Sequence, residues 1–189
     1  MTLFRTVEPG AEPVTLTEVK EHLRLGHSSE DGLLSALIRA AREEVERATG
    51  IALIDQSWRL ALDRWPRSGT IYLARHPVRS IISVTAYGAD GGASLVSPST
   101  YQVDLMARPA RLHFEDTPAP LRRMNGIEID FQAGFGEAGT DVPDTLKRAI
   151  LVLTAHWYEL RGAFGPESQP ASYPAGYERL IAGYKARKL

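Results

Sequence analysis

Apolar side chains recur at helical spacing near both ends of this chain and alternate with polar ones through its middle. The first helix signal is Thr15-Leu16-Thr17-Glu18. A threonine at the cap accepts from the backbone of the first turn while the glutamate three positions on reaches back to it. Val14 and Val19 stand where a hydrophobic staple clamps the entry, and Gly26 is the expected left-handed stop. This predicts a helix over about 15–25. A second helix is predicted over about 29–49, capped by Ser28 or Ser29, with Glu30 and Asp31 at its positive end and Gly50 closing it. Leu34, Ile38, Ala41, Val45 and Ala48 form its apolar stripe, and Leu33, Leu37 and Ala40 widen that stripe beyond what one packing partner needs. A third helix, over about 143–161, opens on Pro143, whose missing N–H costs nothing at a first helical position. Its predicted core stripe is Leu146, Ile150, Leu153, Trp157 and Leu160. Leu151, Val152, Ala155 and Tyr158 make a second apolar flank, which asks for the early helices or a neighbouring subunit.

Between the helices the period drops to two. Trp58, Leu60 and Leu62 alternate with polar neighbours, as do Ile127, Ile129 and Phe131. Shorter strands are predicted at 70–73, 81–87, 101–104 and 111–114, separated by Trp65–Gly69, Gly88–Gly92 (with Asp90-Gly91 as a hairpin turn) and Thr117–Pro120. No crossover helix intervenes, so an antiparallel meander over about 57–133 is expected. The fold class is α+β: two N-terminal helices and one long C-terminal helix, interrupted in sequence by β structure. The division expected is a body at 1–161, a Gly/Pro/Ser-rich linker at 162–176 and a tail at 177–189. Tyr177, Leu180, Ile181 and Tyr184 give the tail apolar anchors, and Lys185, Arg187 and Lys188 make its end basic. About a dozen residues is marginal for an isolated helix, so the tail is expected to be borrowed by another protein, and its removal to leave a folded body.

Composition narrows the chemistry. The chain has 189 residues, 43% hydrophobic and 24% charged, ordinary for a globular protein. With 22 basic and 23 acidic residues its net charge is −1, so no global field attracts nucleic acid or an acidic membrane. The sequence has no cysteine, which excludes disulfides, thiolate catalysis and cysteine-ligated zinc. No signal peptide and no membrane-length apolar run is visible, so a soluble chain made in the cytoplasm is expected.

The motif Gly134-Phe135-Gly136-Glu137-Ala138-Gly139 matches a dinucleotide fingerprint, but Pro143 delays the helix beyond it. Glu137, Asp141 and Asp144 also place negative charge where phosphate would sit. It reads as a strand-to-helix loop. His156 and Glu159 lack the second histidine of a helical metal site, and His22, His27, His76 and His113 are scattered. No G-x-S-x-G, Ser-x-x-Lys or P-loop lysine is present. Glu43/Glu44 belong to a charged helix face, and Asp141/Asp144 to capping around Pro143. The basic groups Arg75-His76 with Arg79, Arg108 with Arg111, and Arg122-Arg123 read as solvated residues or ion pairs, without the interleaved aromatics of a single-strand binder. No enzyme, cofactor or metal site is expected.

The order of motifs resembles the head–tail connector, or adaptor, proteins of long-tailed bacteriophages and gene transfer agents. The resemblance is carried by the run Pro13 to Arg24, by Leu37-Ile38 with Ala40-Ala41-Arg42, and by Glu46 and Thr49-Gly50. It continues through Trp58, Leu62-Asp63, Trp65-Pro66, His76-Pro77-Val78, Ile81, Ser83-Val84 and Tyr101. Gly134-Phe135-Gly136, Val142-Pro143, Ala149-Ile150-Leu151 and Ala155 to Arg161 close it. The resemblance spans nearly the whole chain and implies a structural subunit of a ring, commonly a dodecamer, beneath a portal protein. Such a ring extends the DNA channel without reading sequence and meets a stopper or tail-terminator protein, away from any membrane. It also implies that the segment matching Tyr177 to Leu189 inserts into the portal, and that the wide helix faces, Leu33, Leu37, Leu151, Val152 and Tyr158, meet neighbouring copies. Another neck or tail-completion protein, a lone protein-binding module and a small nucleotide-binding enzyme using Gly134–Gly139 are the competing readings.

Overall fold

The computed structural model describes residues 1–117, 122–160 and 173–185. The chain forms two compact units, one from Met1–Gly10 with Asp55–Phe135 and one from Ala11–Ile54 with Gly136–Leu189.

The first unit is all β among the described residues, apart from one 3-10 turn. Its strands are β1 (Thr2–Val7), β2 (Gln56–Leu62), β3 (Thr70–Leu73), β4 (Val78–Tyr87), β5 (Ala93–Leu95), β6 (Tyr101–Asp104), β7 (Ala110–Phe114) and β8 (Ile127–Ala133). Every pairing is antiparallel, as expected, but the order is not a simple meander. One sheet runs β1-β2-β8-β4-β5 and the other β3-β7-β6. The alternation of β8 sets the register: Phe131 pairs with Trp58 on one side and Ile81 on the other, and Ile129 with Leu60 and Val84. Ile127, Ile129, Phe131 and Ala133 are all buried. The opposite face is charged. Arg59 holds Asp130 in a two-pronged bond, Nε to Oδ1 at 2.7 Å and Nη2 to Oδ2 at 2.8 Å, and pairs with Glu128 at 3.1 Å. Two strands escape the sequence patterning. β1 is a half-exposed edge strand, and β5 is exposed at all three positions, so neither carries a clear apolar alternation. β5 follows the predicted turn, where Asp90 accepts from the Gly92 amide at 3.0 Å.

The second unit holds α1 (Leu16–Leu23), α2 (Asp31–Thr49), α3 (Asp144–Leu160) and α4 (Tyr177–Ile181). The capping box forms: the Glu18 amide donates to Thr15 Oγ1 at 3.1 Å, and the Thr15 amide to Glu18 Oε2 at 2.6 Å. Val14 and Val19 are buried together with it. Two caps differ from expectation. α1 turns at Arg24, whose φ is 56°, and not at Gly26, because the amides of Arg24 and Leu25 close on Glu21 and Lys20 first. α2 begins after Glu30 with no side-chain cap; Asp31 instead pairs with Lys20 at 2.8 Å. Gly50, at φ 75°, ends α2 as predicted.

The backbone amide of Thr15 is the main reason the Glu18 carboxyl titrates below its ordinary 4.5. A depressed folded pKa means that the box stabilises fully above the unfolded value and is lost as pH falls through the folded one. Thr15→Ala is expected to cost about 1 kcal/mol in urea unfolding at neutral pH. Glu18→Gln is expected to flatten the acid limb of the stability curve, which a series of unfolding midpoints against pH measures.

Beneath these helices lies a buried ion network. Arg42, 2% exposed, donates from Nε to Glu12 at 2.9 Å and from Nη1 to Glu46 at 3.0 Å. Glu46 also accepts the Leu53 amide at 2.9 Å.

Candidate interaction surfaces

On α3 the buried line is Leu146, Ala149, Ile150, Leu153, Thr154 and Tyr158. The predicted stripe is therefore right in its first turns and rotated in its last. Trp157 and Leu160 are half-exposed, whereas Tyr158, expected on an intersubunit flank, packs inside. Its hydroxyl donates to the Glu30 carboxylate at the start of α2, a partner that the periodicity of α3 alone does not reveal. The other four residues of that expectation keep apolar surface outward. Leu33 is 40% exposed, and Leu37, Leu151 and Val152 are half-buried.

The C-terminal segment departs most from expectation. Residues 161–172 lie outside the described part, but Tyr173 to Gly176 are held against the unit. The Tyr173 ring stacks on Tyr177 at 5.1 Å and 8°, and its hydroxyl donates to Glu44. Burial opposes the Glu44 charge. Arg47, bonded to it at 2.7 Å and 2.9 Å, and Tyr173 outweigh that and hold the carboxyl below its usual range. Tyr177 and Ile181 are completely buried, and α4 packs on α3 and α2. The reading of these two as free anchors is corrected: helices α2 and α3 supply the apolar surface that a short tail lacks alone. Removal of Tyr177 to Leu189 would therefore open the core. Leu180 and Tyr184 are half-exposed and Lys185 is exposed beside Glu178. Arg187 and Lys188 lie outside the described residues.

The glycine motif is explained by close approach. A Cβ on Gly134 would lie 2.5 Å from the Asp55 amide nitrogen, one on Gly136 would overlap the Asp141 side chain, and one on Gly139 would meet the Pro13 carbonyl at 2.6 Å. Asp141 accepts the Ala138 amide at 3.0 Å, so a carboxylate occupies the loop where a phosphate would need amides, and α3 starts only at Asp144. Among the described residues no group of three His, Asp or Glu is placed to hold a metal, and no helix is long and apolar enough to cross a membrane. His156 is half-buried on α3.

Several of the basic residues named from sequence are paired. Arg79 lies 3.8 Å from Asp55, Arg111 3.0 Å from Asp104, and Arg122 4.0 Å from Glu128 and over the Tyr87 ring. Sequence reading missed a concavity of about 700 Å³ in the β unit, lined by Leu60, Leu62, Trp65 and Ile71 with Arg64 and Arg67. The turn Trp65-Pro66-Arg67 was its only local signal.

Comparison with known proteins agrees with this architecture. A family model described as phage gp6-like head–tail connector protein matches residues 13–106. Among solved structures, the chain is similar to one in the neck of an empty gene transfer agent (GTA) particle with C6 symmetry. The TM-score there is 0.82 at 28% identity, covering 100% of this chain and 97% of that chain. It is similar to a chain in the virion of a native GTA particle, with a TM-score of 0.81 and 29% identity over the same shares, 100% and 97%. The neck of a native GTA particle with C12 symmetry gives 0.79 and 28%, again over 100% and 97%. No curated protein matches the chain in sequence. Residues 13–106 match the phage gp6-like head–tail connector family in sequence, and over its full length the chain shares its fold with chains of gene transfer agent necks and virions.

Proposed function

We propose that this chain is one subunit of a closed ring in the neck of a phage or gene transfer agent particle, a structural part and not an enzyme. The ring lies between the portal and a stopper or tail-terminator protein, and the DNA passes through it without sequence readout. The likeness to a chain of a C12-symmetric neck, over 100% of this chain, carries the reading and supports twelve copies. A cyclic ring needs two different, mutually complementary surfaces on each subunit. The outward apolar side chains of α2 and α3, Leu33, Leu37, Leu151 and Val152, supply one of them. The C-terminal segment grips the portal through its outward residues Leu180, Tyr184 and Lys185, with Arg187 and Lys188 adding positive charge, while Tyr177 and Ile181 anchor the segment to its own subunit.

The test mixes the purified chain with assembled portal rings and reads capture and particle mass. A closed ring on the portal is expected. The combined substitution Leu180→Asp, Tyr184→Ala and Lys185→Glu leaves both anchors in place. It is expected to weaken capture at least tenfold, about 1.4 kcal/mol, with unchanged circular dichroism. Undiminished capture by this variant rules out the tail as the portal grip, and absence of any ring on the portal rules out the connector role.

A further inference from the structure

The concavity of about 700 Å³ in the β unit has a chemistry that nothing above uses. Its lining is mainly apolar, from Met1, Leu60, Leu62, Pro66, Ile71 and Pro109, with the rings of Trp65 and Tyr72. Tyr72 is 53% exposed, so the apolar surface is open to a visitor. Among the described residues its charged side chains are both arginines, Arg64 and Arg67, and no carboxylate lines it.

More positive charge flanks it. Leu73 of β3 pairs with Ala110 of β7, so the residues next in line, Ala74 and Pro109, both line the concavity and carry Arg75 and Arg108 beside it. The two arginines crowd His76. Burial first, then the charges of Arg108 and Arg75, hold its imidazole below the ordinary value, and no carboxylate contributes. Arg59, Arg79 and Arg111 of the same unit are each matched to an acid. Among the described residues Arg64, Arg67 and Arg108 form no ion pair.

The third observation is a strand edge. β3 is the outer strand of β3-β7-β6 and, among the described residues, pairs only with β7. Three of its four residues, Thr70, Ile71 and Tyr72, line the concavity. An unpaired edge is a template for one more strand, and main-chain bonds to it give affinity while alternate side chains give specificity.

We infer that this concavity and the free edge of β3 form a docking groove for an extended segment of a partner protein, in which apolar side chains alternate with carboxylates. One set of alternate side chains enters the aliphatic lining and the other meets the arginines. A nucleic-acid strand fits less well, because the lining is mostly aliphatic and bases stack on aromatic faces. The inference does not rest on the ring, and its test uses the chain alone.

The probe is a short fluorescein-labelled peptide, Ser-Glu-Leu-Glu-Val-Glu-Ser-Gly, titrated against the full-length chain by anisotropy and by amide shifts of nitrogen-15-labelled protein. Saturable binding is expected, with the largest shifts at Thr70 to Leu73. Raising salt from about 50 mM to about 300 mM is expected to weaken it, since exposed charges are then screened over a shorter distance. The double variant Arg64→Glu, Arg67→Glu changes two exposed residues and is expected to keep its circular dichroism while losing at least tenfold in affinity. No saturation, equal binding of the counterpart with lysine for glutamate, or an unaltered affinity in the double variant overturns the inference. Displacement of the peptide by a tighter-binding thymidine oligonucleotide overturns it in favour of a nucleic-acid groove.

Discussion

Arg42→Ala is expected to cost about 3–5 kcal/mol, the range for breaking a buried ion pair by removing one partner. The guanidinium is 2% exposed and Glu46 only 4%, so the acid cannot turn to water when its partner goes. Two carboxylates, Glu12 and Glu46, accept from this one guanidinium, at 2.9 Å and 3.0 Å. Glu46 also accepts the Leu53 amide, which ties the network to the chain leaving α2. Arg42→Lys keeps the charge but loses the fork, and is expected to recover only part of the loss. The deficit of Arg42→Ala should shrink in acid. Burial already lifts the Glu12 pKa above its ordinary 4.5, against the pull of Arg42. Without Arg42 the lift grows. A carboxyl with a raised folded pKa takes up its proton more readily in the folded chain, so folding gains as pH falls from above that value towards 4.5. Urea unfolding from neutral to mildly acid pH reads both effects. A loss below about 1 kcal/mol at neutral pH would show that the network is not a closed, buried unit.

Tyr177→Ala is the second large effect, expected at about 3–5 kcal/mol, the range for removing a fully buried aromatic ring. Tyr177 is completely buried, and Tyr173 stacks on it at 5.1 Å. Its hydroxyl is buried with no hydrogen-bond partner among the described residues, and burial pushes the phenol above its ordinary pKa. Tyr177→Phe removes an unpaired polar atom and keeps the ring. It is therefore expected to be neutral or slightly stabilising, because a buried hydroxyl without a partner only costs free energy. The pair of variants separates packing from polarity. Equal destabilisation by both would mean that the hydroxyl has a partner, and a neutral Tyr177→Ala would mean that α4 does not pack in solution.

These two sites bear on function through the same helices. α2 carries Arg42 and Glu46 on its buried side, Glu44 and Arg47 against Tyr173, and Leu33 outward. A substitution that loosens α2 is expected to disturb the C-terminal segment and the outward apolar face together. For that reason the portal test keeps to outward residues.

Much of this protein was legible from local pattern. The capping box of Thr15 and Glu18, the burial of Val14 and Val19, the stop at Gly50 and the alternation of Ile127, Ile129 and Phe131 are short-range rules, and the structure follows each. The late helix start that Pro143 signals is also a local rule, and α3 begins only at Asp144, beyond Gly134–Gly139. What sequence did not reveal depends on surfaces brought from far along the chain. β1 is a strand because β2 offers it a partner some 55 residues on, as in Leu3 with Leu60, and not because its own pattern is strong. The strand order follows from β8 inserting between β2 and β4, a choice made by matching apolar faces. Tyr158 and Tyr177 look like outward anchors until Glu30 and the α2–α3 surface are in place to cover them. The arginine-flanked concavity likewise exists only once β2, β3 and the residue before β7 meet. Sequence decided the three longer helical segments and the strongly alternating strands, because those patterns are properties of neighbours. It did not decide β1, β5 or the face that the last turn of α3 buries. Tertiary structure decided what each face covers, because burial is settled only when distant surfaces compete for it.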